Sequence, residues 1–129
     1  MKRPTHCPVL IVEDDDRNRK LARDVLGAAG CLTVEAATGS EGITLAREHQ
    51  PDVILVDLRL PDMGGAEVAR ALSNDPRTAP IPVVAMSALS LEGAGDWLEA
   101  AGFAGAIDKP ISIRDFPDEV LRYRAEPPP

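Results

Sequence analysis

The stretch Val53-Ile54-Leu55-Val56-Asp57-Leu58-Arg59-Leu60-Pro61 decides the fold. Four apolar residues run without a break into an acid, and a proline closes the turn beyond it. A short apolar run between turn signals, rich in Val and Ile, is the signature of a strand buried on both faces, as in a parallel sheet covered by helices. Upstream, Val9-Leu10-Ile11-Val12 repeats the pattern and stops in Glu13, Asp14, Asp15 and Asp16. The ends of neighbouring parallel strands share one sheet edge, and ligands of open α/β folds bind there. Three or more carboxylates are therefore expected around one small site. Such crowding costs electrostatic energy, and the usual compensation is a hard divalent cation with a phosphate nearby.

Outward from these two runs, strand and helix alternate. The first strand spans 8–13. A helix over 16–29 places Leu21, Ala22, Val25, Leu26 and Ala29 on one face, with Asp15 or Asp16 as N-cap and Gly30 as the stop. A short strand over 32–36 and a helix over 40–49, ended by Pro51, lead to the third strand at 52–57. Gly64-Gly65 breaks the chain before a helix at about 66–74 with Val68 and Leu72 inward. The fourth strand spans 81–87, with Pro82 near its start, where a missing N–H is tolerable. A helix over 91–101 carries Gly93 and Gly95, each costing about 1 kcal/mol relative to Ala. A fifth strand covers 103–108. The last helix, 115–124, turns Phe116, Val120 and Tyr123 inward and tolerates Pro117 in its first turn if Asp115 is the cap.

Five βα units make a three-layer (βα)5 flavodoxin-like sandwich, and right-handed crossovers favour the parallel order 2-1-3-4-5. That order sets the first and third strands side by side and brings Glu13, Asp14 and Asp57 together. Asp15 and Asp16 are better explained as acids favoured at a helix N-terminus. The expected organisation is one domain over 1–129, ordered over about 8–124, with a short N-terminal tail and a Pro-rich C-terminal one.

Composition agrees: 129 residues, 44% hydrophobic and 27% charged, suit one globular domain. A formal charge of -7 argues against a nucleic-acid or anionic membrane surface. No secretory signal and no apolar run near the ~20 residues of a membrane span is present, so a cytoplasmic protein is expected. Cys7 and Cys31 lack CxxC or zinc spacing and are read as reduced thiols. Neither His6 nor His49 is placed for metal or catalytic work. Trp97 is a packing or surface residue of the fourth helix.

Four segments in order, VLIVEDD (9–15), ILVDLRLPDMGG (54–65), PVVAMSA (82–88) and AIDKPIS (106–112), resemble the receiver domain of bacterial two-component response regulators. The resemblance covers about residues 8–124. Within the family it is most similar to stand-alone receivers of the cell-cycle and chemotaxis type. It implies that Asp57 is the phospho-acceptor, since a carboxylate can attack phosphorus and hold the phosphoryl group as an acyl phosphate. It implies Mg2+ as cofactor, bound directly by Asp14, Asp57 and the Arg59 backbone carbonyl and through water by Glu13. Ser87 matches the hydroxyl that bonds a phosphoryl oxygen, and Lys109 the lysine that pairs with the phosphate. Pro110 matches a proline that usually follows a cis peptide bond and so aims that lysine.

The implied function is a signalling domain phosphorylated from a phosphohistidine on a sensor histidine kinase or histidine phosphotransfer protein. Its output is then binding to a downstream protein, as a monomer or weak dimer. Enzymatic work is limited to self-phosphoryl transfer and autodephosphorylation. Three departures touch the face that signals to partners in this family. The usual aromatic of the fifth strand is Ala106 here, with Phe103 the nearest aromatic. The fourth helix is rich in glycine, and Pro117 shortens the fifth. They motivate two alternatives, a phosphorylation-independent interaction scaffold and a phosphate sink or relay intermediate. A metal-dependent phosphatase ranks behind these, because Asp57-Leu58-Arg59 lacks a second acid two residues on.

Overall fold

The apolar runs at 53–56 and 9–12 lie side by side in one parallel sheet. The computed structural model describes residues 8–88 and 95–124. Its elements are β1 (Pro8–Val12), α1 (Asp16–Ala28), β2 (Leu32–Ala36), α2 (Gly39–His49), β3 (Val53–Asp57), α3 (Gly65–Ser73), β4 (Val83–Ser87), α4 (Gly95–Ala101), β5 (Gly105–Asp108) and α5 (Phe116–Tyr123). The strand order is β2-β1-β3-β4-β5, as expected. In register, Val9 to Val12 of β1 face Val53 to Val56 of β3, Asp57 faces Met86, and Ser87 faces Asp108. Asp57, Ser87 and Asp108 thus lie at the C-terminal ends of their strands, on the same edge as the end of β1.

Alternate side chains of each strand point to opposite faces, so the sheet builds two cores. Val9, Ile11, Val53 and Leu55 pack with Val25 and Leu26 of α1 and with Phe116 and Val120 of α5. Leu10, Val12, Ile54 and Val56 pack with Val68 and Leu72 of α3 and with Leu98 of α4. β3 and β4 are buried along their whole length, which is why their sequences carry no polar alternation.

Several boundaries differ from expectation. Gly65 is the first residue of α3 rather than part of a break. A Cβ on it would lie 2.8 Å from the Asp57 carbonyl oxygen and 2.9 Å from Leu58 Cα, so the helix can start this close to the strand only with glycine. Ile81 and Pro82 precede β4, although the Pro82 carbonyl still accepts from the Ile54 N–H at 3.0 Å. Phe103 precedes β5 and is buried with the α3/α4 core, after a turn at Gly102 with φ of 103°. Ala29 is the exposed C-cap of α1, not part of its inner face. Asp115 precedes α5 and Pro117 falls in the first turn, as expected. His49 is exposed in the last turn of α2, and Cys31 is buried against the α1 core. The proposed helical residues 91–94, His6, Cys7 and the C-terminal tail lie outside the described residues. Among the described residues no helix is long and apolar enough to cross a membrane.

Candidate functional site

Glu13 follows β1 directly and is only 2% exposed. Its N–H donates to the Ala36 carbonyl at 3.0 Å, which extends the β1–β2 pairing by one residue. Its carboxylate accepts from the Asp15 N–H at 3.1 Å and faces Lys109 Nζ at 2.6 Å. Asp14 is exposed beside it. Asp15 caps α1, accepting from the N–H groups of Asn18 and Arg17, and these bonds hold its carboxyl below the usual range. Asp16 opens α1 and accepts from Arg19 Nη2 at 2.7 Å, so both of the later acids bond at the helix start.

Asp57 ends β3 and is buried. One of its oxygens accepts from the Arg59 N–H at 3.1 Å, and the other from Lys109 Nζ at 3.1 Å. Ser87 ends β4, also buried, and its carbonyl accepts from the Lys109 N–H at 2.8 Å. The Lys109–Pro110 peptide is cis. Glu13, Asp14 and Asp57 each bring one carboxylate oxygen within 4.8 Å of the others. Together with Arg59, Ser87 and Lys109 they line an open cleft of about 580 Å³. Asp15, Asn18 and Ala88 also border it, and neither Asn18 nor Ala88 carries a sequence signal for that position. Ala106 lies apart from the cleft, half-buried against the α3/α4 core.

One ammonium answers two buried carboxylates. Burial raises the Glu13 carboxyl above its usual range, Lys109 opposes this, and Asp57 adds repulsion. Burial works against the Lys109 charge, but Glu13 and Asp57 outweigh it and raise the lysine. The set is three hard oxygen donors around a space that a small divalent cation suits, with a cation already arranged to meet further negative charge.

Four features of the surroundings are not legible in the sequence. The Asp62 carboxylate accepts from the N–H groups of Gly39 and Ser40 at 2.8 and 3.0 Å, pinning the loop after β3 to the start of α2. Those bonds lower its carboxyl. Arg19 reaches back from α1 to the Glu13 carbonyl at 2.9 Å. The Tyr123 ring lies directly on Gly105, where a Cβ would stand. An aromatic therefore does touch β5, but from α5. On the α4 side, Phe103 pairs with Trp97, ring centroids 6.5 Å apart, while Trp97 remains 51% exposed. All four are contacts between residues distant along the chain, or one helical turn or more apart, for which no local pattern exists.

Comparison with known proteins agrees with this fold. The polar-differentiation response regulator DivK of Brucella ovis is 40% identical over 115 residues, covering 89% of this chain and 94% of that protein. Among solved structures, the chemotaxis response regulator CheY4 of Vibrio cholerae has a TM-score of 0.86 at 24% identity, covering 92% of this chain and 98% of that one. The receiver domain of the sensor histidine kinase PA1611 from Pseudomonas aeruginosa PAO1 has a TM-score of 0.82 at 24% identity, covering 92% and 97%. That structure has a magnesium ion coordinated in its active site cleft. At these identities the two structures speak for the fold. Residues 9–121 match the family described as response regulator receiver domain, and with the DivK relationship this shows that the chain belongs to that family, the receivers of two-component signalling.

Proposed function

We propose that Asp57 is the residue phosphorylated, that the donor is a phosphohistidine on a kinase or phosphotransfer protein, and that the reaction uses Mg2+. The observation that carries this is the position of Lys109 Nζ, bonded at once to Glu13 and Asp57 at the mouth of the acidic cleft. The Mg2+ ligands would be Asp14, Asp57 and the Arg59 carbonyl, with Glu13 reaching through water. The donor chemistry fits, being all oxygen and mostly anionic. The same fold holds magnesium in the Pseudomonas aeruginosa domain. When bound, the ion offsets the negative charge of the phosphoryl oxygens.

The chain's own part begins with the Asp57 carboxylate, whose oxygen attacks phosphorus in line with the departing imidazole. The P–N bond breaks as the P–O bond forms, the electron pair stays on the imidazole nitrogen, and solvent supplies the proton that nitrogen takes up. Lys109 exchanges its bond to Asp57 for one to the phosphoryl group, and its compact charge on a flexible stem suits that move. The Ser87 hydroxyl donates to a phosphoryl oxygen from the end of β4. No metabolic chemistry follows. The product is a changed surface that a second protein reads, with the chain working as one receiver unit in the cytoplasm.

Incubation with a small acyl-phosphate donor tests this. One phosphoryl group should be added by mass spectrometry, lost in Asp57→Asn and suppressed by a chelator. Labelling that persists in Asp57→Asn would remove the assignment. Ala106 favours a second reading, in which the phosphoryl group is passed on or drained. Equal partner binding by wild type and Asp57→Ala would support the scaffold instead.

A further inference from the structure

We infer that Arg19 is a positioning residue for the cation site, fixing the end of β1 so that Glu13 and Asp14 hold their oxygens in place. The inference rests on the proposal that this site takes Mg2+. The Arg19 guanidinium makes three bonds to three parts of the fold. Nη1 donates to the Glu13 carbonyl at 2.9 Å, Nε to Glu35 Oε1 of β2 at 3.2 Å, and Nη2 to Asp16 Oδ1 at 2.7 Å. Its own N–H donates to the Asp15 carbonyl at 2.9 Å, so α1 holds the arginine from behind. A planar fork bonded in three directions has little freedom left.

The Glu13 carbonyl belongs to the peptide that leads into Asp14. A bond to that oxygen sets the plane of the peptide, and with it the direction in which Asp14 leaves the strand. The other side of Glu13 is already fixed, its N–H on Ala36 and its carboxylate on Asp15 and Lys109. Asp14 is exposed, so its placement depends on this backbone. A plainer role for Arg19 is an ion pair with Asp16 and Glu35, and such pairs near a surface contribute little. That role does not account for the third bond, which is to the backbone.

The sign of one measurement separates the two roles. Arg19 carries positive charge next to a site for a cation, and it neutralises two acids nearby. If charge alone mattered, removing it would tighten Mg2+ binding. Positioning demands the reverse. Arg23 is the matched control, because it carries the same charge and reaches the same Glu35 at 3.2 Å, with its other contact on Asp24.

The experiment is calorimetric titration of the whole chain with MgCl2. Arg19→Ala should bind Mg2+ about tenfold more weakly, the scale on which residues that orient metal ligands act. Arg23→Ala should bind as wild type does. At saturating Mg2+ the rate of Asp57 phosphorylation by an acyl phosphate should return to the wild-type rate in Arg19→Ala. If Arg19→Ala does not fold by circular dichroism, Arg19→Lys serves, keeping the charge but losing the fork, with an expected loss of about threefold. Affinity that is unchanged or tighter in the folded Arg19 variant overturns the inference, as does an equal loss in Arg23→Ala. Wild type that takes up no Mg2+ overturns the reading of the site and this inference with it.

Discussion

Lys109 gives the clearest prediction at the scale of single residues. Removing one partner of a buried pair leaves the other charge without compensation. Lys109→Ala should therefore destabilise the metal-free protein by about 3 kcal/mol in urea unfolding, and adding Glu13→Gln should recover part of that. A loss of only a few tenths would mean that Glu13 and Asp57 do not depend on the ammonium. Gly105 offers a test at the other end of the strand. An added Cβ would occupy the space of the Tyr123 ring, so Gly105→Ala should swing the ring outward and cost about 1–3 kcal/mol. The chain has one tyrosine, and its ring resonances report the move directly. Unchanged resonances would show that β5 shifts instead. Asp75 carries a pH dependence. Arg77, through its side chain and its N–H, and then Arg47 hold its carboxyl well below the usual range. A carboxyl lowered in the folded state contributes stability above its unfolded value, near pH 4, and loses it as pH falls toward the folded value. The melting-temperature gap between wild type and Asp75→Asn should be constant from neutrality to about pH 5 and shrink below about pH 4. An equal gap at both ends of that range would leave the two arginines without effect on Asp75.

Among the elements, legibility follows burial. β1, β3 and β4 are readable because central parallel strands are apolar throughout, and few structures besides a doubly covered strand put such short runs between turn signals. The start of β5 is harder to place, because Phe103 belongs to the core without belonging to the strand. Side-chain burial and backbone pairing part company there. Gly65 reads as a breaker, but its smallness serves the approach of α3 to the backbone at Asp57 and Leu58. Within the cleft, the acids can be found from strand ends alone. Ser87 and Lys109 cannot, since one serine and one lysine at strand ends carry no signal without the family resemblance. Arg19 and Asp62 have no local signature at all. Each is an ordinary polar residue made specific by a backbone group that the fold brings to it.

For the whole molecule, ligand linkage tests whether the site acts as a unit. Mg2+ at 100 times its dissociation constant should stabilise wild type by about 2.7 kcal/mol. Asp14→Ala and Asp57→Asn should gain far less, while melting higher than wild type without metal because fewer acids repel. Equal gains in all three, read by thermal melting, would show that the acids do not share an ion. The strand order has a consequence for how that unit is assembled. The acids come from β1 and β3, inside the sheet, whereas their ammonium rides at the end of β5, a four-residue strand on its edge. On a growing chain the carboxylates leave the ribosome first and their counter-charge last. Until β5 docks on β4, Glu13 and Asp57 face one another uncompensated. Edge elements open at lower free energy than the centre of a domain. Fraying of β5 would thus withdraw Lys109 while leaving the acids in place, giving the site an off-state governed by a strand rather than by a side-chain rotation.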